Sequence, residues 1–365
     1  MATTEELIAL YVQTDERLRA LVDQLRDGNI SNRRKQQLLL QVDVIIAGLT
    51  SDAGQGLADL IGTEYRSGAA VAVEQIVAAG IARDDINDTL KTFVHQKAAQ
   101  AISDEGFYSI LEASEHMSRD TKQRIEDAVR IANEQSLIQG VSRRQATQNA
   151  VAQVNKQGIT GMVAKNNARI PADKYIAGVV QYHQRKAHVT GTENMAVQND
   201  HDLLYINFVG ITCPVCAVYQ GRVYSISGND SRFPKLELRP PYHSHCVHSM
   251  SVWVEEFTPA AEVEQMIIAS NREFEDNRTA ANMKRYNELQ REKSRKNATR
   301  KQWIRYKAVL PDDTPDLRQF ASHKVRGTAK YAELQELYRK VNIEIKKKEG
   351  SPGVGRKNEA TPANT

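Results

Sequence analysis

The chain has 365 residues and a net charge of +4. That length allows two or three domains with ordinary cores, and so small a charge does not by itself imply nucleic acid. Three cysteines confined to 34 residues exclude a disulfide scaffold spread along the chain and point to a reducing compartment.

Residues 1–189 read as a helical N-terminal domain. Thr3 and Glu6 stand at capping-box spacing. Leu7, Leu10, Tyr11, Leu18, Leu21, Val22 and Leu25 then recur at helical intervals, and Gly28-Asn29 is a stop signal. Ile30–Leu49 forms a second helix with Leu38, Val42, Ile45, Ile46 and Leu49 on its buried side, and Gly54 to Gly56 breaks the pattern. Further helices are expected over Leu57–Ala79, Asp84–Glu105, Thr121–Gln139 and Arg143–Gln157, joined by short links that suit antiparallel neighbours. His95 and His116 are scattered and read as structural or exposed. Met1 to Asp15 has no basic stretch followed by an apolar one, so no signal peptide is expected. No run approaches the length of a membrane span.

The pattern changes after Gly191. Leu203–Ile211, Arg222–Ser227 and Ser249–Phe257 read as strands, the last with Met250, Val252 and Val254 on one face. Gly210, Gly221 and Gly228-Asn229 punctuate them as turns. Residues 190–258 form a small β-containing Cys/His module, and residues 259–349 a basic helical region. There, Ala260 to about Asp276, Thr279–Ala308 and Tyr331–Lys348 are helical, with Pro311 and Pro315 as a break. The tail 350–365, rich in Gly, Pro, Asn and Thr, is expected to be disordered. The fold class is therefore α+β, predominantly α-helical.

The chemistry concentrates in the module. Thr212-Cys213-Pro214-Val215-Cys216 offers two thiolates from one tight turn, and His243-Ser244-His245-Cys246-Val247-His248 offers four more ligands. Zinc takes four ligands of this kind in a tetrahedron. Cys213, Cys216 and Cys246 are the thiolates, and the fourth ligand is His243 or His248. His243 and Cys246 suit a turn, whereas Cys246 and His248 share a face if the segment is extended. His245 ranks last because it faces away from Cys246 in an extended segment. An excess of ligands leaves no open position, so the zinc is structural. A Cys-x-x-Cys between strands lacks the strand-to-helix setting of a redox pair. The deaminase, His-Glu-x-x-His and phosphate-loop signatures are absent. A metal-supported nuclease or a toxin-like effector is the alternative reading.

From Lys284 to Lys307, ten Lys and Arg stand against Glu288 and Glu292, a net charge of +8 over 24 residues. Lys284, Arg285, Arg291, Arg295, Lys296, Arg300, Lys301 and Arg305 are the candidate contacts to nucleic acid or a protein partner. Tyr286, Trp303 and Tyr306 are placed to stack on bases.

Pro214, Tyr219, Gln220, Gly221, Tyr224 and Ser225, followed by Pro241, His243, Cys246 and His248, resemble the two motif segments of the tailed-phage minor capsid proteins, related to the minor head proteins of the phage Mu F type. The likeness is specific over residues 205–255 and looser along most of the chain. This chain departs from the family pattern in carrying Cys216 where relatives have histidine and Cys213 in place of an arginine. The resemblance implies a non-enzymatic minor structural protein of the phage head, inside the capsid near the portal. Its implied partners are the portal protein, other head proteins and packaged double-stranded DNA, with no membrane. Its implied work is head assembly, DNA packaging or DNA delivery, and assembly in the host cytoplasm agrees with free thiolates.

Overall fold

The computed structural model describes residues 3–256 and 258–349, so the tail expected to be disordered lies outside the described residues. Among the described residues the chain forms ten α-helices and five short strands. The fold is predominantly helical α+β, as the composition and periodicity imply.

The helices are α1 (Thr4–Asp23), α2 (Asn32–Ala78), α3 (Phe93–Ile138), α4 (Arg143–Val154), α5 (Ala172–Gln198), α6 (Pro214–Ala217), α7 (Ala260–Ser270), α8 (Ala280–Val309), α9 (Leu317–Arg326) and α10 (Ala329–Glu349). The strands are β1 (Thr160–Val163), β2 (Arg169–Pro171), β3 (Leu203–Ile206), β4 (Arg222–Ser225) and β5 (Met250–Val252). The capping box forms reciprocally: Thr3 N donates to Glu6 Oε2 at 2.8 Å, and Glu6 N donates to Thr3 Oγ1 at 3.2 Å. Gly28 ends the following 3-10 turn at φ 89°.

The helices differ from the sequence reading in three places, one being that α3 runs unbroken for 46 residues across the gap expected between Glu105 and Thr121. The expected break at Gly54–Gly56 is absent, and α2 runs unbroken for 47 residues. Gly54 instead admits a neighbour, since a Cβ there would lie 2.8 Å from the ring of Phe107 on α3. The expected helix from Asp84 begins only at Phe93. Asn199 explains the irregular stretch: its side-chain oxygen accepts from Asn87 N at 2.7 Å, and its amide donates to Asn87 O at 3.0 Å. Such side-chain bonds compete with helical ones for the same backbone groups.

The chain divides into two compact units. The first comprises residues 1–15, 45–117 and 160–294. It contains an antiparallel β1–β2 pair and an antiparallel sheet of order β4-β3-β5. Its core joins α2 and α5 to the sheet through Ala69, Val73, Ile76, Val189, Met195, Leu204, Ile206, Met250, Val252 and Val254. The three residues expected to share a face of β5 and its extension thus do so.

The approach of α2 to α5 is backbone to backbone. A Cβ on Gly68 would stand 1.9 Å from His188 O, and one on Gly191 would stand 2.2 Å from Tyr65 O. Thr192 Oγ1 donates to Gly68 O at 3.1 Å. Beside this crossing lies a buried polar chain. Asn194 donates to Tyr65 OH at 2.8 Å, Tyr65 OH meets His95 Nδ1 at 2.8 Å, and His95 Nε2 meets Gln198 Oε1 at 3.1 Å. Gln198 donates onward to the carbonyls of Asn87 and Thr89. His95 is therefore structural.

The second unit comprises residues 16–44, 118–159 and 295–365, of which the structure describes those up to 349. Leu18, Val22, Leu38, Val42, Ile125, Ala132 and Ala150 are buried within it. Arg124 and Asp120 form an almost fully buried pair, and Arg124 also donates to Gln157 O and Gly158 O, each at 2.8 Å. An aromatic cluster of Tyr306, Phe320, Tyr331 and Tyr338 joins α8, α9 and α10.

Candidate metal centre

All candidate ligands lie on loops and turns framed by the three-stranded sheet, inside the first unit. After β3 the chain turns through Gly210 (φ 75°) into α6, a single helical turn with Pro214 at its first position. Cys213 caps that turn, its sulfur accepting from Cys216 N at 3.4 Å. Both sulfurs of the Cys-x-x-Cys thereby face one side. The second ligand segment follows the cis Pro240–Pro241 peptide and leads directly into β5.

The ligand atoms form two triads that share Cys216. One is Cys213, Cys216 and His243, the other Cys216, Cys246 and His248, and within each all ligand atoms lie within 4.8 Å of one another. His243 Nε2 is 3.2 Å from Cys213 Sγ and 3.2 Å from Cys216 Sγ. Cys216 Sγ is 3.7 Å from Cys246 Sγ, and Cys246 Sγ is 3.7 Å from His248 Nδ1. Zinc bonds of about 2.3 Å to sulfur and about 2.0 Å to nitrogen, at the tetrahedral angle, set S–S edges of about 3.8 Å and S–N edges of about 3.6 Å. The Cys216–Cys246 and Cys246–His248 edges, each 3.7 Å, match those figures, whereas Cys213 shares its triad with Cys216 and His243 and not with Cys246 or His248. Cys216, Cys246 and His248 are buried, and Cys213 and His243 are half-buried. His245 is exposed, bonds Gln181 on α5 at 2.9 Å and lies outside both triads.

The two buried thiols share a proton unequally. The hydrogen bond from the Cys216 thiol lowers Cys246 despite its burial, and Cys216 is pushed up by the same bond and by burial. An ion held by these sulfurs would have to displace thiol protons, as thiolate coordination requires.

Two buried residues hold the surrounding loops. Gln220 Oε1 accepts from Val209 N at 2.9 Å and Gly210 N at 3.3 Å, and lies 3.1 Å from His248 Nε2. Arg222, fully buried at the start of β4, donates to the carbonyls of Val218, Ser270, Arg272 and Glu273 at 2.6–3.1 Å. Its guanidinium lies over the Phe274 ring, 4.1 Å from the centroid. Four carbonyls, three of them at and beyond the end of α7, take the place of a carboxylate partner. Burial lowers the Arg222 pKa from its ordinary value. Gly221 between these two residues has φ 69°, which a side chain would strain. The Gln220-Gly221 motif was visible in the sequence, but the roles of Gln220 and Arg222 were not. A buried arginine without a nearby acid gives no local signal.

On α8, Lys284, Arg285, Arg291, Arg295, Lys296, Lys301 and Arg305 are exposed and Arg300 is half-buried. The aromatics expected to stack on bases are less exposed. Tyr306 is buried and stacks on Tyr338 at 4.1 Å, and the Trp303 indole donates to Pro315 O at 2.9 Å. Tyr286 is half-buried, and the Arg278 guanidinium lies 5.5 Å from its ring centroid. The reason is the helix's own apolar face, which in its last turns builds the aromatic cluster of the second unit.

The profile of the family described as phage minor capsid protein 2 matches residues 35–330, and the chain belongs to that family. It is therefore a minor structural protein of the phage head, a component of the virion whose partners include other head proteins. Comparison with curated proteins and with solved structures finds no match. Among the described residues, no helix is long and apolar enough to cross a membrane.

Proposed function

We propose that this head protein works inside the capsid near the portal, where it assists head assembly, DNA packaging or DNA delivery. Its Cys/His module is held by one structural zinc ion, bound by Cys213, Cys216, Cys246 and one of His243 and His248. The zinc closes loops separated by about thirty residues of sequence, which a small sheet alone would hold weakly. No step of chemistry is assigned to it.

The observation that carries the DNA part of the reading is the exposed basic run on α8. Eight exposed cations on one helix, the seven candidates above and Lys293, neutralise phosphates and release their counterions. Contact is to the backbone rather than the bases, because Trp303 and Tyr306 are engaged within the protein. An acidic face on a protein partner such as the portal would offer the same charge complementarity.

The test is duplex DNA binding by the full chain as salt is raised. The expected affinity falls linearly on a log–log plot, with a slope of about −0.9 per phosphate neutralised. Replacing Arg291, Arg295 and Lys301 by Gln is expected to reduce that slope by about one per residue, independent of DNA sequence. Absence of binding at low salt removes DNA from the proposal and leaves co-purification with the portal protein as the measure of the rest.

A further inference from the structure

The two histidines that compete for the fourth position differ in the nitrogen they offer. Gln220 Oε1 accepts two backbone N–H groups, from Val209 and Gly210, so it is the oxygen of the amide that faces His248. An oxygen there accepts the proton of His248 Nε2. The lone pair of the neutral ring then lies on Nδ1, the nitrogen that faces Cys246. His243 is set the opposite way. Its Nδ1 accepts from His245 N at 3.2 Å, so its proton lies on Nε2, the nitrogen 3.2 Å from both Cys213 and Cys216 sulfurs. Those contacts are shorter than the edge of about 3.6 Å that zinc would set, and they suit N–H donation to sulfur.

We infer that Gln220 is a positioning residue that selects His248, through Nδ1, as the fourth zinc ligand, leaving His243 as a hydrogen-bond donor to the thiolates of Cys213 and Cys216. This rests on the zinc reading above and goes beyond it in three ways. It names the ligand atom. It gives His243 a separate task, that of lowering the charge density of a three-thiolate site. It also links the metal to the surface, because the Gln220 oxygen that holds His248 also holds the loop 207–211. That loop presents Phe208, Val209 and Ile211 to solvent. A metal on Nδ1 makes Nε2–H a stronger donor and tightens its bond to Gln220. Zinc thereby fixes the conformation of an exposed apolar loop that no ligand touches.

The decisive experiment uses the unaltered full chain loaded with cadmium in place of zinc. Metal–proton correlation NMR is expected to show coupling to the Cβ protons of all three cysteines and to ring protons of His248, and none to His243. Coupling to His243 and not His248 overturns the inference while leaving the zinc reading intact. Failure of the chain to bind zinc or cadmium at all removes the zinc reading and this inference with it.

Variants test the role of Gln220. Gln220→Ala is expected to weaken zinc about 10- to 100-fold, as loss of a ligand-orienting partner does. Gln220→Glu keeps an oxygen toward Nε2–H and is expected to retain the affinity. In a His248→Cys background, where no imidazole needs orienting, Gln220→Ala is expected to leave zinc affinity unchanged. An equal loss in that background makes Gln220 merely structural and overturns its assignment. Hydrogen exchange supplies a second readout: zinc is expected to slow exchange of the Val209 and Gly210 amides in the wild type but not in Gln220→Ala.

Discussion

The crossing of α2 and α5 and the Cys/His module solve the same problem in opposite ways. At the crossing, two regular helices satisfy their own backbone groups, so the contact is close, set by Gly68 and Gly191. In the module the backbone is irregular, and its N–H and C=O groups have no ladder to join. Side chains supply the partners: Gln220 takes two N–H groups, and Arg222 serves four carbonyls. Burying polar side chains is therefore the means by which loops become interior. The crossing should fail by steric insult and the module by loss of a polar or metal tie.

The largest separation of the two regions is expected from Cys216→Ser, which removes the sulfur shared by both ligand triads. Zinc content should fall to near zero, and loops 207–221 and 240–248 should become protease-sensitive, with helical circular dichroism nearly unchanged. Loss of the helical signal along with the metal would mean that the two regions fold as one. Gly68→Ala is the reciprocal change. Its Cβ meets backbone, the His188 carbonyl, which only a shift of α5 relieves. A cost of about 3 kcal/mol is expected by chemical denaturation, with zinc content retained in the folded protein.

Tyr65→Phe probes the polar exception within the helical region. It removes the hydroxyl between Asn194 and His95 and should cost about 1–2 kcal/mol. The smallest effect is that of pH on the metal-free protein. Burial lowers the pKa of His95, His183 and His188 from the ordinary 6.5. The unfolded chain thus takes up protons near 6.5 that the folded chain resists. Stability is fully present above 6.5 and is lost as pH falls through that value toward the folded pKa values. Denaturation curves at about pH 7.5 and about pH 5.5 should show the loss, and His95→Gln should reduce it. Stability that rises on acidification would contradict the burial of these rings.

Much of the site was legible because its signals are local. The three strands around the ligands announce themselves through β-branched runs and glycine turns, though only Leu203–Ile206 of the expected 203–211 and Met250–Val252 of the expected 249–257 are strand, and the ligand spacing is visible by inspection. The helix ends were less legible because their causes are distant. Gly54 reads as a break until Phe107 is known to pack on it, and residues 84–92 read as helix until Asn199 claims the backbone of Asn87. The β1–β2 pair and α9 gave patterns too short to register. Trp303 and Tyr306 sat in a run of cations, and only α9 and α10 reveal what they pack against.

Cys213 carries a consequence of its own. Its sulfur accepts from Cys216 N as the cap of α6, so one atom serves as both punctuation for the backbone and a prospective ligand. A hydroxyl can do the first job but is a poor substitute in the second. Serine at this position would therefore make a grammatical mutant: the turn would still be written correctly, while its meaning to a metal would be erased. Alanine would delete both. The difference between the two measures how far the shape of the Cys-x-x-Cys turn precedes the ion it is shaped to receive.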